Sequence, residues 1–190
     1  MDPHATSFGI PNRKMAMWVF IGSECMFFGS LIATYLAYEG KSVAGPTPRE
    51  ILNIPLTSVS TFVLLMSSLA MVLALDAVQR DDLKSAKMWI AAVMGLGGLF
   101  LAGQVYEFSH FYHEGLTLQA NLFGATFFVL TGFHGAHVTV GVLWMTTLLI
   151  LMFLGRIGPE RSIDVEVAGL YWHFVDVVWI VIFTVVYLIQ

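Results

Sequence analysis

Long apolar runs broken by short polar links set the pattern of this chain. The runs fall at about 15–38, 55–78, 88–106, 121–154 and 167–189. Each reaches or exceeds the roughly 20 residues a helix needs to cross ~30 Å of hydrocarbon, so the pattern predicts five transmembrane helices. Barrel strands would read as alternating segments of ~10 residues, which this pattern does not contain. The link "EGKSVAGPTPREILNIP" holds three of the six prolines and reads as a turn-rich loop, not a sixth span. The fourth run exceeds a perpendicular crossing and is expected to tilt or to extend beyond the bilayer at "MFLGRIG".

Composition agrees with this reading. The 190 residues are 57% hydrophobic and 12% charged, with a mean hydropathy of +0.78, far from a water-soluble domain. The single cysteine, Cys25, lies inside the first run, so neither a disulfide framework nor a CxxC site is available within the chain. The head "MDPHATSFGIPNRK" is polar and the run behind it lacks a cleavage pattern, so the first run is read as an anchor and not a signal peptide. No repeat, low-complexity tract or soluble domain is visible, and residues 1–190 are read as one all-α bundle with no nucleic-acid partner.

Charge orients the bundle. Seven of the nine Lys and Arg (Arg13, Lys14, Arg80, Lys84, Lys87, Arg156, Arg161) fall on the side of the N-terminal head and the second and fourth links, against Lys41 and Arg49 opposite. The positive-inside rule then places the N-terminus in the cytoplasm and the C-terminus outside. Packing faces are expected at small residues: Cys25, Gly29 and Ala33; Ala91, Gly95, Gly98 and Ala102; Gly132 and Ala136.

The chemistry rests on the few polar residues inside these spans, where a charge at the centre costs about 2.5–3.5 kcal/mol. Glu24 lies ten residues past Lys14, at a depth of ~15 Å. His134 and His137 are one turn apart in "GFHGAHVTVG", with Gly141 leaving room for a neighbour on that side. Glu166, Gly169, His173, Asp176 and Ile180 share a sector of about 80°, which predicts a polar seam facing other helices, the opposite side being Val, Ile, Trp and Leu. Such residues serve as interhelical hydrogen-bond glue, worth on average ~0.6 kcal/mol each. Other readings are a metal pair or axial haem ligation by His134, His137 and His173, a carboxylate–histidine di-metal site with Glu24, and a proton-coupled transporter using Glu24 and Asp176 as a relay.

"WVFIGSECMFFGSLIATYLAY", "QVYEFSHF", "TFFVLTGFHGAHVTVG" and "GLYWHFVDVVWIVIFTVVYL" together resemble subunit III of the haem-copper terminal oxidases. The similarity runs in order over nearly the whole chain. The resemblance implies a non-redox subunit of a proton-pumping, O2-reducing complex, with no catalytic, cofactor or metal residues of its own and haem and copper in its partners. It implies packing mainly on subunit I and also with subunit II, bound phospholipid, and support of proton uptake and turnover stability. On that resemblance Glu24 matches the family's intramembrane carboxylate, His134 and His137 its paired helix histidines, and Glu166, His173 and Asp176 its last-helix set. The chain is similar to the five-helix form lacking the first two of seven helices, which points to a bacterial plasma membrane. Glu24 and "YWHF" incline the reading toward a cytochrome c donor over a quinol.

Overall fold

The computed structural model describes residues 11–42 and 52–189. Among these residues five helices are long and apolar enough to span a membrane. They are α1 (Asn12–Tyr38), α2 (Ile54–Gln79), α3 (Leu83–His113), α4 (Leu122–Phe153) and α5 (Ser162–Phe183), the last continued by a π-helical turn, Thr184–Leu188. A 3-10 turn, Pro159–Arg161, precedes α5. Most of the first link lies outside the described residues.

Hydropathy alone locates the spans, and the ends follow local chemistry. α3 starts five residues before the expected 88 and ends seven after 106. Asp82 caps it by accepting from the Ser85 amide at 3.1 Å, and hydrogen bonds from the Ser85 hydroxyl and amide hold that carboxyl below its usual range. At the far end Gly115, at φ 84°, closes a Schellman turn: the Leu116 amide donates to the Phe111 carbonyl at 2.9 Å. Asp81, at φ 60°, takes the same left-handed position in the tight α2–α3 link, a place where Asp is better tolerated than most side chains.

α2 packs along α3, and α3 along α4. α5 lies against α2, α4 and α1, while α1 is set at the edge against α4 and α5. This position makes α5 the most enclosed span, so its Trp172 and Trp179 are buried and do not face lipid as the seam reading expects. Trp172 is the axis of the packing. A Cβ at Gly97 on α3 would lie 2.7 Å from its ring, and one at Gly141 on α4 also 2.7 Å, so both glycines exist to admit the indole. The space left by Gly141 is filled by α5.

The small-residue faces are a correction. Cys25, Gly29, Ala33, Ala91, Gly95, Ala102 and Ala136 are exposed, and a Cβ at Gly98 or Gly132 would meet nothing within 4 Å. Close approach occurs instead at Gly97, Gly103, Gly135 and Gly141. Spacing four apart marks a face without saying which of several faces meets a neighbour, and here large side chains dock into isolated glycines.

Candidate functional site

The polar residues group by depth and not into one network. At the end where α1 begins, the Arg13 guanidinium meets Asp164 and the Lys14 ammonium meets Glu166 at 2.5 Å, pinning α1 to α5. Both pairs are partly exposed, so each is worth at most about 1 kcal/mol. Lys14→Glu is expected to weaken α1 docking by under about 1 kcal/mol and the double reversal Lys14→Glu/Glu166→Lys to restore it. A cysteine cross-linking rate between α1 and α5 reads this, and an equal defect in the double variant would contradict the pairing.

Halfway along α1, Glu24 Oε2 stands 3.2 Å from His137 Nε2 on α4, each side chain under a fifth exposed. The other ring nitrogen, Nδ1, faces the Phe133 carbonyl at 2.8 Å. A carbonyl only accepts, so Nδ1 carries a hydrogen and donates it. Nε2 and the carboxyl are then joined through one proton, as imidazolium with carboxylate or imidazole with carboxylic acid. Net charge at the pair is zero either way, which lowers the cost of placing it in the membrane. The Tyr171 hydroxyl of α5 donates to the His137 carbonyl at 2.9 Å, bringing a third helix to the same point. Phe28 lies edge-on to the imidazole at 5.0 Å between ring centres.

His134, one turn away, does not join His137. It is fully buried, stacked on Trp179 at 4.8 Å and edge-on to Phe100 at 5.8 Å. Neither ring nitrogen has a hydrogen-bond partner among the described residues. One helical turn thus sends the two histidines to different neighbours, one inward and one toward α1.

The expected seam on α5 is divided as well, because seven residues, or ~10.5 Å of rise, change the neighbour. Glu166 reaches α1, while His173 reaches α2, its Nδ1 2.6 Å from Ser68 Oγ. Asp176 is buried with neither carboxyl oxygen hydrogen-bonded among the described residues, and Ile180 is exposed. The α2 side is a file of hydroxyls: Ser67 Oγ accepts from Trp172 Nε1 and Thr61 Oγ1 from Trp179 Nε1, both at 2.9 Å. A further polar group lies toward the other end, where the Thr57 hydroxyl is 2.5 Å from the buried Glu107 carboxylate and the Gln104 amide donates to the Thr131 carbonyl at 2.8 Å. Sequence reasoning passes over Glu107, Gln104 and the α2 hydroxyls. Their signal is nonetheless present: Glu107 recurs three residues after Gln104, one turn along a single helix face, although it lies just past the end of the expected span.

No group of three or more His, Cys, Asp and Glu able to hold a metal ion occurs among the described residues. His134, His137 and His173 stand in three separate environments and are not brought together.

A family described as cytochrome c oxidase subunit III matches residues 4–190. The chain belongs to that family. Among its relatives, cytochrome c oxidase subunit 3 of Bacillus sp. (strain PS3) is 40% identical over 177 residues, 93% of this chain and 86% of the relative. Quinol oxidase subunit 3 of Bacillus subtilis (strain 168) is 38% identical over 174 residues, 92% and 85% of the two chains. Cytochrome c oxidase subunit 3 of the same strain is 38% identical over 188 residues, 98% and 91%. The chain is subunit III of a haem-copper oxidase, a multi-pass protein of the bacterial plasma membrane that associates with other oxidase subunits.

Proposed function

We propose that this subunit III is the non-redox scaffold of a proton-pumping cytochrome c oxidase, packed chiefly on subunit I with subunit II nearby, binding phospholipid and supporting proton uptake and turnover stability. One observation carries the reading: two of the intramembrane histidines join neighbouring helices. His137 bridges α4 to α1, His173 bridges α5 to α2, and His134 is packed between two aromatic rings. Residues 1–190 are taken as one five-helix domain. Positive charge gathers where α1, α3 and α5 begin, which supports an N-terminus in the cytoplasm and a C-terminus outside.

Lipid binding is supported by a cleft of about 580 Å³ between α1, α4 and α5, walled by Met17, Phe20, Trp144 and Leu148 with Arg13 and Asp164 at its polar end. Apolar walls beneath a charged pair match an acyl chain beneath a headgroup. Glu24, His134, His137, Glu166, His173 and Asp176 are assigned to helix joining and to the proton-related role of the subunit, not to catalysis or cofactor binding.

A quinol donor is the second reading, favoured by the relatives named quinol oxidase subunit 3, which match as well as the cytochrome c kind. The test is extraction of the native membrane in mild detergent and capture through a tag on this chain. Recovery of a multi-span haem and copper protein with phospholipid supports the scaffold reading, and turnover on reduced cytochrome c or on a quinol separates the donors. Glu24→Gln should leave the haem spectrum of the captured complex unchanged. An isolated chain carrying stoichiometric haem or metal would overturn the proposal.

A further inference from the structure

A further cleft, of about 480 Å³, opens where α3 ends and α4 begins, and that volume is within the range of small-molecule sites. Its depth follows from the helix register. Phe108 lies five residues before the end of α3 and Phe128 six residues after the first residue of α4, roughly 7–9 Å into the spans, while Thr117, Leu118 and Gln119 belong to the link itself. The cleft therefore crosses the boundary between headgroups and hydrocarbon. Its floor is aromatic: Phe108 meets Phe128 edge-on at 5.0 Å between ring centres, and Tyr112 stands one turn beyond Phe108 on the same face of α3.

The rim is neutral and fixed in place. Tyr112, Thr117 and Gln119 bring a phenol, an alcohol and an amide, and none of the described residues lining the cleft is Lys, Arg, His, Asp or Glu. Charge at this end of the bundle is engaged elsewhere, Glu114 with His110 and Glu107 with Thr57. Local bonds hold the link: the Thr117 hydroxyl accepts from the Gln119 backbone amide at 3.4 Å and the Thr117 carbonyl from the Ala120 amide at 3.2 Å. That carbonyl packs on Gly124, where a Cβ would collide with it, and the Leu116 side chain is fully buried beneath. A phosphate calls for a cation and finds none here, so a phospholipid headgroup does not fit. Each rim side chain both donates and accepts, so the rim suits carbonyl oxygens and hydroxyls alike. One and two turns along α4 from Phe128 stand Gly132 and Ala136. A Cβ at Gly132 would meet nothing within 4 Å and Ala136 is exposed, which leaves a smooth path for an apolar tail.

We propose that this cleft binds the head of a membrane quinone, with the ring against Phe108 and Phe128, the oxygens at Tyr112, Thr117 and Gln119, and the isoprenoid tail running along α4 past Gly132. A flat, uncharged ring with oxygens at its edges matches an aromatic floor beneath a neutral rim. The oxidised head offers acceptors alone and the reduced head offers donors as well. Rotation of the two hydroxyls and the paired N–H and C=O of the amide satisfy either form, so the site binds both and includes no redox step. It is separate from the cleft between α1, α4 and α5, whose polar end has Arg13 and Asp164. The site stands whether cytochrome c or a quinol feeds the complex.

The test is photolabelling of the complex captured with this chain, using an azido-naphthoquinone that bears a short isoprenoid tail, followed by mass spectrometry of this chain's peptides. Label is expected within residues 106–129 and should be displaced by an excess of the unlabelled quinone. Gln119→Ala removes one hydrogen-bonding group from an exposed link and should lower labelling at subsaturating probe by about fivefold, the equivalent of one hydrogen bond. Phe128→Leu replaces the ring by an aliphatic chain and should lower it by a similar factor, and Gln119→Ala gives the reading alone if Phe128→Leu fails to assemble. The proposal is overturned by label on a partner subunit with none on residues 106–129, a result that leaves the scaffold reading standing. It is equally overturned by label that excess quinone does not displace, by unchanged labelling in Gln119→Ala, or by displacement just as effective with a neutral diacylglycerol, which would make the cleft a place for any uncharged lipid.

Discussion

Replacement of Trp172 by alanine is expected to lower the stability of the folded bundle by about 3–5 kcal/mol, the range for truncating a large fully buried aromatic side chain. Three losses coincide there. The indole is fully buried, it occupies the notches at Gly97 on α3 and Gly141 on α4, and its Nε1 donates to Ser67 on α2. Inside a bilayer the hydrophobic effect does not drive helix association, so packing of this kind supplies most of the attraction. α5 would lose its fit to three helices at once, and the vacated volume cannot close while α3 and α4 remain packed on each other. Dodecyl sulfate titration, with unfolding followed by fluorescence of the four remaining tryptophans, reads the effect. A midpoint shifted by less than about 1 kcal/mol from the parent would mean that the glycine notches are not the axis of assembly.

His134 is expected to respond with the opposite sign. Its ring fills space between Trp179 and Phe100 while both nitrogens lack partners among the described residues. Leucine has a similar volume and no polar atoms, so His134→Leu removes a desolvation penalty at little cost in packing. The expected gain is about 1–2 kcal/mol and no more, since the unfolded chain within a membrane also finds partners for its polar groups. The same titration measures it. A loss of stability would show that the imidazole nitrogens are satisfied in the membrane and that the histidine is a structural bond. A gain in stability accompanied by lost turnover would instead place His134 among the residues kept for function.

The five spans were legible because mean hydropathy over 20 residues is insensitive to local detail. The contacts were not legible for the same reason. Nearly every face of these helices is apolar, so a stripe of Cys25, Gly29 and Ala33 looks like an interface whether it meets a helix or lies open. Glu24 and His137 could each be recognised as costly residues in lipid, but the pairing required knowledge that α1 docks on α4. Glu107 escapes the pattern because the apolar run ends before it, although the helix does not. His173 and Asp176 lie three residues apart on α5, and the α2 serine that His173 meets cannot be found from α5 alone. A polar position in a spanning helix announces a partner, while the choice of partner belongs to the three-dimensional arrangement.

The placement of α1 at the edge also bears on how the chain is made. α1, which precedes the other described spans in the sequence, touches α4 and α5, and its ion pair from Lys14 to Glu166 spans 152 residues. At about 5–20 residues per second, roughly 8–30 s of synthesis separate the two partners. Glu24 stays unmatched for less time, until His137 on α4 is made 113 residues after it, while α2 and α3 can pair as soon as both are inserted. The order of synthesis and the order of docking are therefore different: the α2–α3 hairpin forms first, and α1, although it precedes both in the sequence, finds a seat only once α4 and α5 are made.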